Sequence, residues 1–178
     1  RMLVGSDPSF GVLTWDMQNG FNSVSRRGWL AAVRRRLPRL FPLARLFYRR
    51  TGRLFLPIPD ALGAFDHWHE IPSRQGAIQG DIFGGIGFAT DTASLHSELA
   101  AHVRSLDIGP LHQFWIVDDG TFVGPPPVLA AVCAFLLARC PSPAMQEADP
   151  SCRPAEPWAL TTSARKCHVY FPAGLESA

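Results

Sequence analysis

Two stretches of this sequence carry carboxylates where chemistry could use them. The first is Phe114-Trp115-Ile116-Val117-Asp118-Asp119-Gly120-Thr121-Phe122-Val123, two apolar runs split by a pair of acids. Strand-type residues on both sides of Asp-Asp-Gly predict a β-hairpin, with Asp119-Gly120 supplying the turn. Hard divalent cations take carboxylate oxygens, so two acids at the mouth of so apolar a hairpin sit where such a cation is held. On this segment alone a turn that is simply acidic reads equally well. About a hundred residues upstream, Gly11-Val12-Leu13-Thr14-Trp15-Asp16 is a short apolar run ending in a carboxylate, followed by Met17-Gln18-Asn19-Gly20-Phe21-Asn22-Ser23. A strand of this kind carries Asp16 at its tip. If it lies beside the hairpin, Asp16 and Asp118 converge.

Between them stands Ser73-Arg74-Gln75-Gly76-Ala77-Ile78-Gln79-Gly80-Asp81, two Gln-Gly pairs ahead of a long apolar stretch. Taken in order, these segments resemble the palm of reverse transcriptases, most closely those of non-LTR (LINE-type) retrotransposons. In that family a strand ends in Asp and runs into Asn-Ala-Phe-Asn, matched by Asp16 to Asn22. A Gln-Gly-Asp segment follows, matched by Gln79-Gly80-Asp81, then a strand ending Asp-Asp, matched by Ile116-Val117-Asp118-Asp119. A Lys-Cys segment before a short strand comes last, matched by Ala164-Arg165-Lys166-Cys167-His168-Val169. The resemblance covers roughly residues 8 to 172. The sequence departs from it at Gly20, where the family has Ala, and at Ile82-Phe83-Gly84-Gly85, where Pro-Leu-Ser-Pro is usual. Both departures bear on substrate positioning and leave the carboxylates in place.

The resemblance implies an α+β fold, a polymerase palm-like antiparallel sheet with packed helices, in one reverse transcriptase domain fragment over residues 1–178. It implies an RNA-directed DNA polymerase whose partners are an RNA template, a DNA primer and deoxynucleoside triphosphates. Nucleotidyl transfer needs two divalent ions, Mg²⁺ with Mn²⁺ as the substitute, held about 3.5–4 Å apart by protein carboxylates. Asp16 and Asp118 are the expected direct ligands, the Met17 carbonyl is a further ligand by resemblance, and Asp119 is assigned a supporting role. By the same resemblance Phe21 packs under the incoming sugar and excludes a 2′-hydroxyl. Gln79 and Gly80 lie along the nascent base pair, and Lys166, the single lysine of the chain, stands near the triphosphate. The plainer readings are that Phe21 is an ordinary core aromatic and Lys166 a surface lysine at a strand edge. Only fifteen residues precede Asp16, so most of the family's fingers and its thumb are expected to be missing. Such a piece should polymerise weakly by itself. A degenerate remnant that binds nucleic acid without polymerising fits the same residues, as does a non-catalytic nucleic-acid-binding module that works through its arginine-rich helices.

Charge is unevenly spread. Residues 26 to 53 hold ten arginines and no acid, whereas the other 150 residues hold seven basic and fifteen acidic side chains. A cationic segment within an otherwise acidic chain is a footprint for polyanions, with Arg34, Arg35, Arg36 and Arg39 the candidate nucleic-acid contacts. A solvated helix face would carry the same charges. The four cysteines form no Cys-x-x-Cys pair, and His67 and His69 alternate as in a strand, so reduced thiols rather than zinc or disulfides are expected. No apolar run approaches the roughly 18 residues of a membrane span, and an intracellular, soluble protein is the expectation.

The elements that must position these residues follow from periodicity. Strands are predicted over residues 12–16, 54–58, 65–71, 113–124 (as a hairpin), 158–162 and 167–171. Helices are predicted from Asn22 or Ser23 to about Leu37, from Leu40 to Arg50, Asp81 to Arg104 and Val128 to Arg139. Residues 140–157, rich in Pro, Ser and acids, read as a loop or surface insertion.

Overall fold

The computed structural model describes residues 9–77, 80–156 and 158–171. A four-stranded antiparallel sheet has the order β4-β5-β1-β6, with β1 (Gly11–Asp16) flanked by β5 (Asp119–Gly124) and β6 (His168–Tyr170). Strand β4 (His112–Ile116) forms the outer edge. β1 is apolar at every second position, and its burial alternates in step: Leu13, Trp15 and Met17 are buried on one face. The pleat therefore turns Thr14 and Asp16 to the other face.

Two long helices cover the buried face. α4 (Ile82–Leu106) contributes Phe88, Leu95, Leu99 and Val103, a stripe at helical spacing, and α5 (Pro126–Arg139) contributes Val128, Val132 and Leu136. A second, smaller core lies between α2 (Arg26–Arg36), α3 (Phe41–Tyr48) and the segment around Ala77, built on Trp29, Val33, Ala44 and Tyr48. Strands β2 (Gly52–Pro59) and β3 (Phe65–Ser73) form a separate two-stranded hairpin, solvent-exposed along nearly its whole length. The result is the expected α+β arrangement, an antiparallel sheet with packed helices.

Four local readings change. The helix predicted from Asn22 or Ser23 is two: a single turn, α1 (Gly20–Ser23), and then α2, capped by Ser25, whose Oγ accepts the Gly28 N–H at 3.2 Å. The hairpin turn is Val117-Asp118, because Ile116 already pairs with Asp119. Asp119-Gly120 thus opens β5. Val117 adopts the left-handed region (φ 61°) that a two-residue hairpin turn demands of its first residue. The strand predicted at 158–162 reduces to one bridge between Thr162 and Met17, because Trp158 and Leu160 are drawn into the core. Within 140–157 lies α6 (Pro143–Ala148), capped by Ser142. No described helix is long and apolar enough to cross a membrane.

Candidate active site

The antiparallel register sets Asp16 directly opposite Asp119, so their side chains share the open face of the sheet. Asp118 occupies the turn one residue beyond. Its carboxyl is held above the usual carboxylate range, first by partial burial and then by the negative charges of Asp119 and Asp16. A bond from its own backbone and the cation of Lys166 act in the opposite direction. Asp16 and the turn that holds Asp118 thus lie at the same end of the sheet. Asp16 Oδ2 lies 3.2 Å from Lys166 Nζ, while its Oδ1 is buried with no hydrogen-bond partner. Lys166 comes from the short 3₁₀ turn Ala164–Lys166, which leads into β6 on the other side of β1.

Met17 continues β1. The Gln18 N–H bonds the Thr161 carbonyl at 2.7 Å, and the Ser163 N–H bonds the Asp16 carbonyl at 2.9 Å. Successive residues of an antiparallel ladder turn their peptide groups to opposite edges. The Met17 carbonyl is therefore directed to the hairpin side. Gly20 lies beneath Asp118: a Cβ added there would stand 3.0 Å from Asp118 Cβ and 3.2 Å from its Oδ2. The departure from Ala at this position thus leaves room for the carboxylate of the turn. Among the described residues no three His, Cys, Asp or Glu side chains form a cluster that could by itself hold a metal ion. The carboxylates at this end of the sheet are those of Asp16, Asp118 and Asp119.

Phe21 stacks on Phe88 at 5.0 Å between ring centroids and touches both cores. It is only partly buried, so one edge stays accessible. The Gln-Gly segment is fastened to this same stretch. Ala77 N–H bonds the Phe21 carbonyl at 2.6 Å and Gly76 N–H the Val24 carbonyl at 3.0 Å. Gly76 has φ 76°, and a Cβ there would meet Asn22 O at 2.4 Å, so only glycine fits. Gln79 lies outside the described residues. Gly80 is exposed at φ 85° with open space beside it.

Several residues escaped the sequence reading. Arg26 donates to the carbonyls of Ser73, Gln75 and Gly76 at 3.0–3.1 Å and lies over the Tyr48 ring, and its burial lowers its pKa. It clamps the Gln-Gly segment to α2, a role concealed by its place in a run of arginines. Asp81 caps α4 by accepting the Phe83 N–H at 2.9 Å, and it also accepts the Tyr48 hydroxyl. Behind the acidic hairpin, His96 stacks on Trp115 at 4.0 Å and Trp115 meets Phe122 edge-on, which ties β4 to α4.

No protein-family model and no curated protein matches the sequence. Solved structures do match the fold. Apo telomerase from Candida tropicalis superposes with a TM-score of 0.61 at 11% identity, over 96% of this chain and 30% of that one. Telomerase from Candida albicans, solved in complex with a fragment of telomeric RNA, gives 0.52 at 14% identity, over 96% and 29%. The fold is a reverse-transcriptase-like palm. At such identities the likeness concerns fold alone, and the chain spans less than a third of the telomerases it matches. Asp16 and Asp118 stand at one end of the sheet, with Lys166 in the turn that leads into β6.

Of the four arginines singled out from the sequence, Arg34 lines an open cleft of about 580 Å³ between α2 and α3. Arg35, Arg36 and Arg39 are exposed and lie outside it.

Proposed function

We propose that this chain is the palm-centred part of an RNA-directed DNA polymerase of the non-LTR retroelement type, transferring nucleotides from deoxynucleoside triphosphates to a primer 3′-hydroxyl. The observation that carries this reading is the register that sets Asp16 opposite Asp119, next to the turn that holds Asp118, at one end of a reverse-transcriptase-like sheet, with Asp16 Oδ1 buried and unpartnered. The donor set fits Mg²⁺, which is typically held by one or two carboxylates while keeping waters and substrate phosphates in its shell. Asp16, Asp118 and the Met17 carbonyl would hold the ions, and Asp119 adds negative charge. Bound there, a pair of such ions would lower the pKa of the attacking hydroxyl and neutralise the leaving pyrophosphate.

The chain's own residues supply position. Lys166, now paired with Asp16, is a cation within reach of an incoming triphosphate once the carboxylate is engaged elsewhere. Phe21 offers its accessible edge beneath the sugar. The Arg26 clamp fixes the Gln-Gly segment beside Phe21, where Gly80 allows a base pair to approach without a side chain in the way. The RNA in one telomerase structure supports a nucleic-acid partner for this fold.

Mn²⁺ binding followed by electron paramagnetic resonance tests the reading. The wild-type chain should bind Mn²⁺, with Mg²⁺ in competition. Asp16→Asn and Asp118→Asn should each weaken binding at least tenfold, and Asp119→Asn should do so less. Wild-type affinity in both ligand variants would remove the metal site and leave a nucleic-acid-binding remnant.

A further inference from the structure

We propose that the cleft between α2 and α3 is a second nucleic-acid site, which grips the phosphodiester backbone of one strand without reading its bases. Its rim carries Arg27, Arg34, Arg45, Arg49, Arg50 and Arg74, with Arg26 at its inner end and no acid among its lining residues. Among the described residues, every ion pair lies elsewhere: Arg53 with Glu70, His67 with Asp66, Arg139 with Glu98, and Lys166 with Asp16. A solvated helix face spreads its charges outward. Here arginines from two helices, the Arg50-Thr51 link and the end of β3 converge on one concavity.

Guanidiniums gathered in this way repel one another until anions enter, and planar, multidentate donors suit phosphate oxygens. The floor is preorganised. Arg26 is already committed to four backbone carbonyls, and on the rim Arg34 lies over the Phe41 ring at 5.7 Å. Arg27 and Arg34 are two turns apart on α2, about 10 Å along its axis. A strand of duplex advances about 3.4 Å per phosphate, so the row spans about three phosphates. The cleft is open, and Arg74, just past β3, also lines it. That length suits a continuing strand rather than a compact anion. The site shares no residue with the acid pair, and the inference holds whether or not the acids are catalytic.

The test is the salt dependence of binding to a short, fluorescently labelled single-stranded RNA, measured by anisotropy on the whole chain. Each phosphate neutralised contributes about −0.7 to the log–log slope on a single strand. Replacing Arg27, Arg45 and Arg49 by Gln should flatten the slope by about 2, and replacing Arg35, Arg36 and Arg39, an equal charge outside the cleft, should flatten it far less. Matched thermal melts establish that both triple variants fold. Equal flattening by the two triples, or none by the first, overturns the proposal. So does an unchanged RNA slope in the cleft triple together with loss of its tripolyphosphate binding, which would make the cleft a site for small free anions. Asp16→Asn and Asp118→Asn should leave the slope unchanged, so failure here is distinguishable from failure of the polymerase reading.

Discussion

At the scale of single residues, two ionisable groups on α4, one buried and one partly buried, work against each other. Asp91 is 1% exposed with neither carboxylate oxygen hydrogen-bonded, and burial pushes its pKa up from 3.8 to about 7. His96, one turn and a residue further on and partly buried, is pushed down from 6.5 to about 4, again by burial. An acid with a raised folded pKa stabilises the fold fully below its unfolded value, and that contribution is lost as pH rises toward 7. A histidine with a depressed folded pKa contributes fully above pH 6.5, and its contribution is lost as pH falls toward 4. Each tilts the stability curve by up to about 1.4 kcal/mol per pH unit, with opposite signs. Between about pH 4 and 6.5 the two slopes largely cancel. Asp91→Asn should therefore expose a stability that rises with pH over this window, and His96→Gln one that falls. Urea denaturation across the pH series measures both, and parallel curves in the two variants would contradict the assignment.

At the scale of elements, the packing of α2 on α4 sets where the Gln-Gly segment lies, and it depends on one missing side chain. A Cβ at Gly87 would fall 1.5 Å from Trp29 Nε1, whereas a Cβ at Gly85 would meet nothing within 4 Å. Both glycines are helical, and alanine is intrinsically better there by about 1 kcal/mol. Gly85→Ala should accordingly raise stability by up to that amount. Gly87→Ala should lower it by about 1–3 kcal/mol, since overpacking outweighs propensity. Denaturant midpoints compare the two directly. Trp29 fluorescence should change only in the second variant.

At the scale of the molecule, the acids lie at one end of the sheet, and catalysis there depends on holding a substrate against them. Phosphoryl transfer is mostly positioning and charge neutralisation, and misplacement by about 1 Å can cost on the order of 10²-fold in rate. This chain corresponds to less than a third of the telomerases it resembles. Residues 1–178 should therefore show little primer extension, with activity appearing only when the polypeptide segments that clamp triphosphate and duplex are joined to them. In such an active form Phe21→Ala should raise ribonucleotide relative to deoxynucleotide incorporation, measured by single-nucleotide extension. An unchanged ratio would make Phe21 a packing residue on Phe88. Robust extension by residues 1–178 would show that the palm needs no such help.

Much of this was legible in the sequence because it is carried by short-range patterns. Alternating burial in β1 follows from alternating letters, and that period fixes Asp16 on the open face. The long apolar stripes of α4 and α5 announce themselves by their spacing, and the Asp-Asp hairpin by its two apolar arms. What the letters could not decide is register and long-range contact. Asp-Gly favours a turn locally, but Asp119 pairs with both Ile116 and Asp16, which moves the turn to Val117-Asp118. The strand predicted at 158–162 gave way to burial of Trp158 and Leu160. Within the arginine run, only tertiary packing separates Arg26, bound to backbone carbonyls, from the arginines that face a shared cleft and from Arg35, Arg36 and Arg39 outside it. Identical side chains take different roles there because burial and partners belong to the fold, and a one-dimensional pattern does not contain them.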